Sequence, residues 1–208
     1  MIYLGDDYIE KYESVIAYLI GKAIEERYSL SYIQSVIANS KMCDELEKSN
    51  ITTIAFTSKE KIYDDIFNPT ITSNVNISPY SVFGWLGYIY IHLFFDLKVT
   101  FEYLFLLLPI EEAINLYPLY HEMDYSQLLQ YVKEQDKLSH LYVVMNNRNI
   151  SSQKLSNITG ISNSTITALK YSNRDFDKLE VKKAIIICDT LNVKVTTLIN
   201  ELPLSFSK

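Results

Sequence analysis

Apolar residues recur along most of this 208-residue chain at the three-to-four spacing that places them on one side of a helix. Tyr8, Tyr12, Val15, Ile16, Leu19 and Ala23 keep that spacing behind Asp6 and Asp7, whose carboxylates suit the cap and first turn of a helix. A second helix is expected after Ser31, with Ile33, Val36 and Ile37 on one side, before the chain turns polar as far as Asn50. Ile51 to Phe56 reads as one short strand or an extended connector. Thr57 with Glu60 three residues on is a capping-box pattern, and the helix it opens has to end at Asn68-Pro69. From Pro69 to Ser78 a run of Thr, Ser and Asn without apolar period predicts a loop. Ser78-Pro79 offers an N-cap and a proline at the first helical position for the apolar run that continues to Phe95. Pro109 with Glu111 and Glu112, then Asp124 with Gln127, predict two more helix starts, the last helix running to about Gln135.

Beyond Glu134 the pattern becomes five short helices. The first covers about Asp136 to Asn147, with Leu138, Leu141, Val144 and Met145 facing inward. The second starts at Ser151 or Ser152 and breaks at Thr159-Gly160, because glycine takes the left-handed conformation that ends a helix. Ile161 packs across the turn, and Ser162 caps a third helix, NSTITALKY, in which Ile166 and Leu169 are buried neighbours. With five Gly, five Pro and no alternating strand pattern, the class is mainly α. It is expected as a helical N-terminal domain, with that one possible short strand, followed by a five-helix module.

The outer side of the third helix points to function. Asn163, Ser164, Thr167 and Lys170 fall at i, i+1, i+4 and i+7, a solvent face of short polar residues with one cation. A helix face made only for solubility usually carries Glu and Lys, which have better helix propensity than Asn, Ser or Thr. Short hydrogen-bonding side chains let a helix enter the major groove, where Asn pairs with adenine and Ser or Thr with a base or phosphate. The helix starts at Ser152 and Ser162 offer backbone N–H groups to phosphates.

These residues carry a resemblance. Ser152, Leu155, Ser156, Thr159, Gly160, Ile161, Ser162, Ser164, Thr165, Ile166, Thr167, Leu169 and Lys170 spell SxxLSxxTGISxSTITxLK, which closely resembles the phage-repressor (Cro/cI, XRE-like) helix-turn-helix family. Leu179, Ala184, Ile185, Cys188, Leu191, Val193 and Leu198 are similar to that family's closing helices, so the resemblance implies a lambda-repressor-like fold over about 65 residues. It also implies that Asn163, Ser164 and Thr167 read bases, while Ser152, Gln153, Ser162, Lys170 and Arg174 hold phosphates. The pattern departs after the third helix, where Tyr171-Ser172-Asn173 replace the family's common Glu-x-Gly. One cation on the recognition helix implies weak binding by a monomer, and a homodimer on half-sites about 34 Å apart would restore affinity.

Charge divides the chain in the same place. Residues 1–135 hold 9 Lys/Arg against 19 Asp/Glu, a balance of −10, and residues 136–208 hold 10 against 6, a balance of +4. An acidic partner-binding domain (1–135) joined to a basic nucleic-acid-binding one (136–208) accounts for that split. Seventeen Tyr and nine Phe suggest dense helix packing or a protein interface. Cys43 and Cys188 form no CxxC or Cys/His cluster, so neither zinc nor a disulfide framework is expected. Acidic residues stand where a signal peptide needs a positive start, and the apolar run Val82–Phe95 is shorter than the ~20 residues of a spanning helix. A cytoplasmic protein without membrane segment or cofactor is expected, and Val82–Phe95 reads as a buried core helix.

The segments Phe83–Phe95 and Asn115–Val132 loosely resemble an uncharacterised group of Gram-positive proteins from operons of the toxin–antitoxin type. Trp85, Gly87, Tyr88, Ile89 and Tyr90 match that group's W-x-G-[WY]-I-Y motif, and Tyr117, Tyr120 and His121 match a later Y-x-x-[YF]-H motif. Ile91-His92-Leu93 and Glu122-Met123-Asp124 depart from it. His92, His121 and His140 each stand alone and read as surface or core histidines rather than metal ligands. Tyr88, Tyr90, Tyr103, Tyr117, Tyr120 and Tyr131 read as core and interface packing. No phosphate loop, GxSxG, CxxC or kinase signature occurs, so no enzyme is expected. The leading expectation is an antitoxin-like transcriptional autoregulator that binds operator DNA as a homodimer and a cognate toxin with its N-terminal domain. The alternative is a phage or mobile-element inhibitor of a host or defence nucleoprotein complex, anti-CRISPR-like, with an autorepressing helix-turn-helix.

Overall fold

A computed structural model describes residues 2–3, 5–68, 78–136, 138–172, 176–199, 202 and 206–207. The architecture is mainly α. In chain order the helices are α1 (Asp6–Glu25), α2 (Leu30–Ala38), α3 (Lys41–Glu47), α4 (Thr52–Phe56), α5 (Lys59–Phe67), α6 (Val82–Leu97), α7 (Phe101–Leu107), α8 (Ile110–Tyr120) and α9 (Tyr125–Gln135). The C-terminal part continues with α10 (His140–Asn147), α11 (Ser152–Thr159), α12 (Asn163–Tyr171), α13 (Val181–Leu191) and a 3-10 turn at Val195–Leu198. Two short strands, β1 (Ile2–Tyr3) and β2 (Phe206–Ser207), pair in parallel, Ile2 opposite Phe206.

The core is built around α1 and α6, which pack on each other and bury almost continuous runs, Val15–Ala23 and Ile89–Ile91 with Leu93–Phe95. Their close approach requires Gly87, since a Cβ there would lie 2.2 Å from the Glu13 carbonyl oxygen. The Val82–Phe95 run is thus a core helix, and among the described residues no single helix is long and apolar enough to cross a membrane.

Several local expectations need correction. Ile51–Phe56 is neither strand nor connector: residues Thr52–Phe56 form α4, because side chains from the preceding segment cap it. Asn50 Oδ1 accepts from Thr52 N at 3.0 Å and Glu45 Oε2 from Thr53 N at 2.7 Å. The polar stretch before Asn50 holds α3, capped by Ser40. Ser29 rather than Ser31 precedes the second helix, and Ser58 rather than Thr57 caps the fifth. Asp6 and Asp7 lie in the first turn of α1 and make no cap hydrogen bond; Gly5 occupies the cap. Ser81, not Ser78, caps α6, while Ser78-Pro79-Tyr80 turn back so closely on it that a Cβ at Gly84 would meet the Pro79 carbonyl oxygen at 2.2 Å. Helix α10 begins only after Ser139, which leaves Leu138 42% exposed instead of inward. The expected loop Pro69–Ser78 lies, but for Ser78, outside the described residues.

One apolar core runs through both halves of the chain, from Ile9 to Leu202. Across the junction, α7 packs on α10: the Tyr103 ring stacks on His140 at 3.8 Å, and its hydroxyl donates to Asp136 Oδ1 at 2.7 Å. The Glu102 carboxylate accepts from Thr197 Oγ1 at 2.6 Å and Lys194 N at 3.1 Å. Lys194 Nζ reaches back to Asp44 at 2.6 Å and to the Ala38 carbonyl at 3.0 Å. Burial pushes the Glu47 carboxyl up to about 7 despite its hydrogen bond from Phe101 N. Burial also lowers His140 to about 4, although Thr197 O accepts from its Nδ1. The C-terminal helices are therefore seated on the N-terminal layer by apolar and polar contacts alike.

Candidate nucleic-acid interface

Helices α11 and α12 form a helix-turn-helix whose turn is set by local side chains. Ser151 caps α11 by accepting from Lys154 N at 3.1 Å. At its far end Gly160 takes φ 72°, the left-handed region in which a side chain is strained. Thr159 Oγ1 donates to Leu155 O at 2.8 Å, and Ser156 Oγ donates to Ile161 O at 2.7 Å, fixing the chain on both sides of that glycine. Ile161 is buried across the turn. Ser162 then caps α12, accepting from Thr165 N at 3.2 Å.

Helix α12 buries Ile166 and Leu169. Its C-terminal end is pinned to α10, because Ser139, the α10 cap, donates through Oγ to the Lys170 carbonyl at 2.5 Å. Asn163, Ser164, Ala168 and Tyr171 are exposed, while Thr167 and Lys170 are half-buried. Among the described residues, the Asn163 and Thr167 side chains make no hydrogen bond. Ser164 shares its hydroxyl with Ser162 at 3.0 Å. Such an outward face, slender and with unspent donors and acceptors, is what groove entry requires.

Lys170 Nζ lies 4.7 Å from the centre of the Tyr142 ring, held over it as a cation–π pair. Gln153 is exposed and donates to Asn157 Oδ1 at 2.9 Å, and Ser152 is half-buried at the start of α11. Arg174 lies outside the described residues, as does Asn173. Two residues that motif reasoning passed over stand beside the turn. Lys182 and Lys183 share a cleft with Thr159, Ser162 and Thr165, and Lys183 pairs with Glu180 at 3.3 Å. The signal was available: two cations in the first turn of α13 oppose the helix dipole, and only Lys183 gains an ion pair, with Glu180, in return. Tyr171, 66% exposed at the end of α12, and Ala168 at its centre also belong to the outer face.

No three His, Cys, Asp or Glu side chains gather at metal-binding distance among the described residues. Cys43 and Cys188 are both buried free thiols. Of the three histidines, His140 is core, His92 bonds Glu13, and His121 is exposed.

Residues 140–200 match the family model of the Cro/C1-type helix-turn-helix DNA-binding domain. No curated protein and no solved structure matches the chain.

Proposed function

From a Cro/C1-type DNA-binding domain at residues 140–200, a mark of a DNA-binding transcriptional regulator, we propose that the protein is a cytoplasmic autoregulator of the antitoxin kind. In this reading residues 136–208 bind operator DNA as a homodimer and residues 1–135 bind a cognate toxin. The observation that carries it is the exposed α12 face, where Asn163 and Thr167 keep their hydrogen-bonding groups unspent. Asn163, Ser164 and Thr167 read bases; Ser152, Gln153, Ser162, Lys170 and Arg174 contact phosphates, with Lys182 and Lys183 added to that set. Val181 (72% exposed) and Ile185 (45%), one turn apart on α13, supply apolar surface for the second copy. The −10 balance of residues 1–135 and the 87% exposure of Phe56 favour a basic protein partner for that half.

The test is selection of operator sequences with the full chain, followed by binding of Asn163→Ala and Thr167→Ala variants. Each should lose about 1–3 kcal/mol on the selected operator and nearly nothing on unrelated duplex. Equal loss on all sequences would remove base reading from these residues. Co-purification from the native host should recover a small basic protein encoded beside this one. A large nucleoprotein effector in its place would transfer the N-terminal half to the inhibitor reading.

A further inference from the structure

Away from the DNA-reading face, α1, the 78–81 turn, α6 and α8 enclose a cleft of about 660 Å³. Aromatic rings form its walls. Trp85 and Tyr117 meet edge to face, centroids 5.5 Å apart at 69°, which makes a corner rather than a stack. Tyr88 and Tyr80 complete the lining, and Tyr80 is 92% exposed at the rim. From α1, Glu10 and Glu13 bring two carboxylates to the same cleft, and among the described residues its lining contains no Lys or Arg.

The shape is built rather than incidental. Gly84 and Gly87 stand one turn apart in α6, where glycine costs about 1 kcal/mol each relative to alanine. Each admits a backbone that a Cβ would exclude: the Pro79 carbonyl at Gly84 and the Glu13 carbonyl at Gly87. Those two approaches set the turn and the Glu13 side of the cleft. Glu13 is further oriented by His92 Nε2, which donates to its Oε1 at 3.0 Å, and the His92 ring lies 4.2 Å from that of Tyr88. At the other wall His121 Nδ1 donates to the Tyr117 carbonyl at 2.7 Å, and its Nε2 lies 3.7 Å from the Glu122 carboxylate. Burial, with Glu13, Asp124 and Asp96 nearby, raises the Tyr88 phenol, in keeping with a negative surrounding.

We propose that this cleft binds an organic cation bearing N–H donors, a guanidinium or primary alkylammonium head group. Ring faces attract cations, and the carboxylates take the N–H groups that a quaternary ammonium lacks. An anionic ligand would meet Glu10 and Glu13, and a neutral one would desolvate them without compensation. The inference is independent of the DNA-binding reading, and its test contains no DNA.

Trp85 is the sole tryptophan of the chain, so its fluorescence reports the cleft directly. The full-length protein is titrated at constant ionic strength with agmatine, with a blocked Gly-Arg-Gly peptide, and with neutral N-butylurea. Saturable change with agmatine assigns the cleft to a free small cation, and saturation by the arginine peptide alone assigns it to a side chain of a protein partner. Glu13→Gln and Glu10→Gln should each weaken the saturating probe by tenfold or more. Glu10 is exposed, so its variant tests the idea even if Glu13→Gln disturbs the α1–α6 packing through His92. Absence of saturation by both cations, equal binding of N-butylurea, or unchanged affinity in a folded Glu10→Gln protein would overturn the proposal.

Discussion

Hydroxyl and amide side chains gather at two places in this molecule, the junction between α7 and the 3-10 turn and the outer face of α12, and they are used in opposite ways. At the junction Thr197 is fully buried, donates to Glu102 and accepts from Thr100 at 3.3 Å. On α12, Asn163 is exposed, and neither it nor Thr167 makes a side-chain hydrogen bond among the described residues. The same kinds of side chain thus hold a fold together in one place and are left without hydrogen bonds in the other. Satisfaction of hydrogen bonds, rather than polarity, separates structure from recognition.

The sharpest way to break this contrast uses adjacent residues on α12. Ile166→Ala removes a fully buried side chain and should cost about 2–5 kcal/mol in urea denaturation, whereas Thr167→Ala should stay within about 0.5 kcal/mol of wild type. A large stability loss from Thr167→Ala would show that its hydroxyl is structural.

The junction should also be visible in the pH dependence of stability. His140 is held down to about 4, so the unfolded chain binds more protons between pH 4 and 6.5, and stability falls as pH drops through that window. Glu47 is pushed up to about 7, so the folded chain binds more protons between pH 4.5 and 7, and its contribution is lost as pH rises there. Each is worth on the order of 3 kcal/mol and the two oppose each other. Relative to wild type, His140→Asn should therefore gain stability toward pH 4, and Glu47→Gln should gain it toward pH 7. Denaturant midpoints measured from pH 4 to 8 check both signs. A smaller effect is expected of Thr197→Val, which removes one of the two donors to Glu102, Lys194 N being the other, and should cost about 1–3 kcal/mol without changing DNA selectivity.

The helix-turn-helix was legible because its rules are local. Ser162 as cap, Gly160 as stop and Ile166 with Leu169 as buried neighbours all lie within one decapeptide and behave as their types dictate. Helix α4 was not legible, because its caps come from Asn50 and from Glu45, eight residues before Thr53. Leu138 was misplaced because apolar spacing continued upstream of the cap at Ser139. The junction joins Glu102 to Thr197 across 95 positions, a separation at which no periodicity carries information. Trp85 and Tyr117 were likewise visible singly, but only the packing of α1, α6 and α8 brings them to one cleft with Glu13.

The central claim is that the outward face of α12 enters duplex DNA, and Ala168, exposed at the middle of that face, tests it most directly. Fluorescence anisotropy of the full chain on labelled operator should show Ala168→Glu weakened roughly tenfold or more on every duplex, since a carboxylate is set against phosphates. Thermal stability should be unchanged, and Ser126→Glu on exposed α9 should bind as wild type. Undiminished DNA affinity in a folded Ala168→Glu protein would contradict the account.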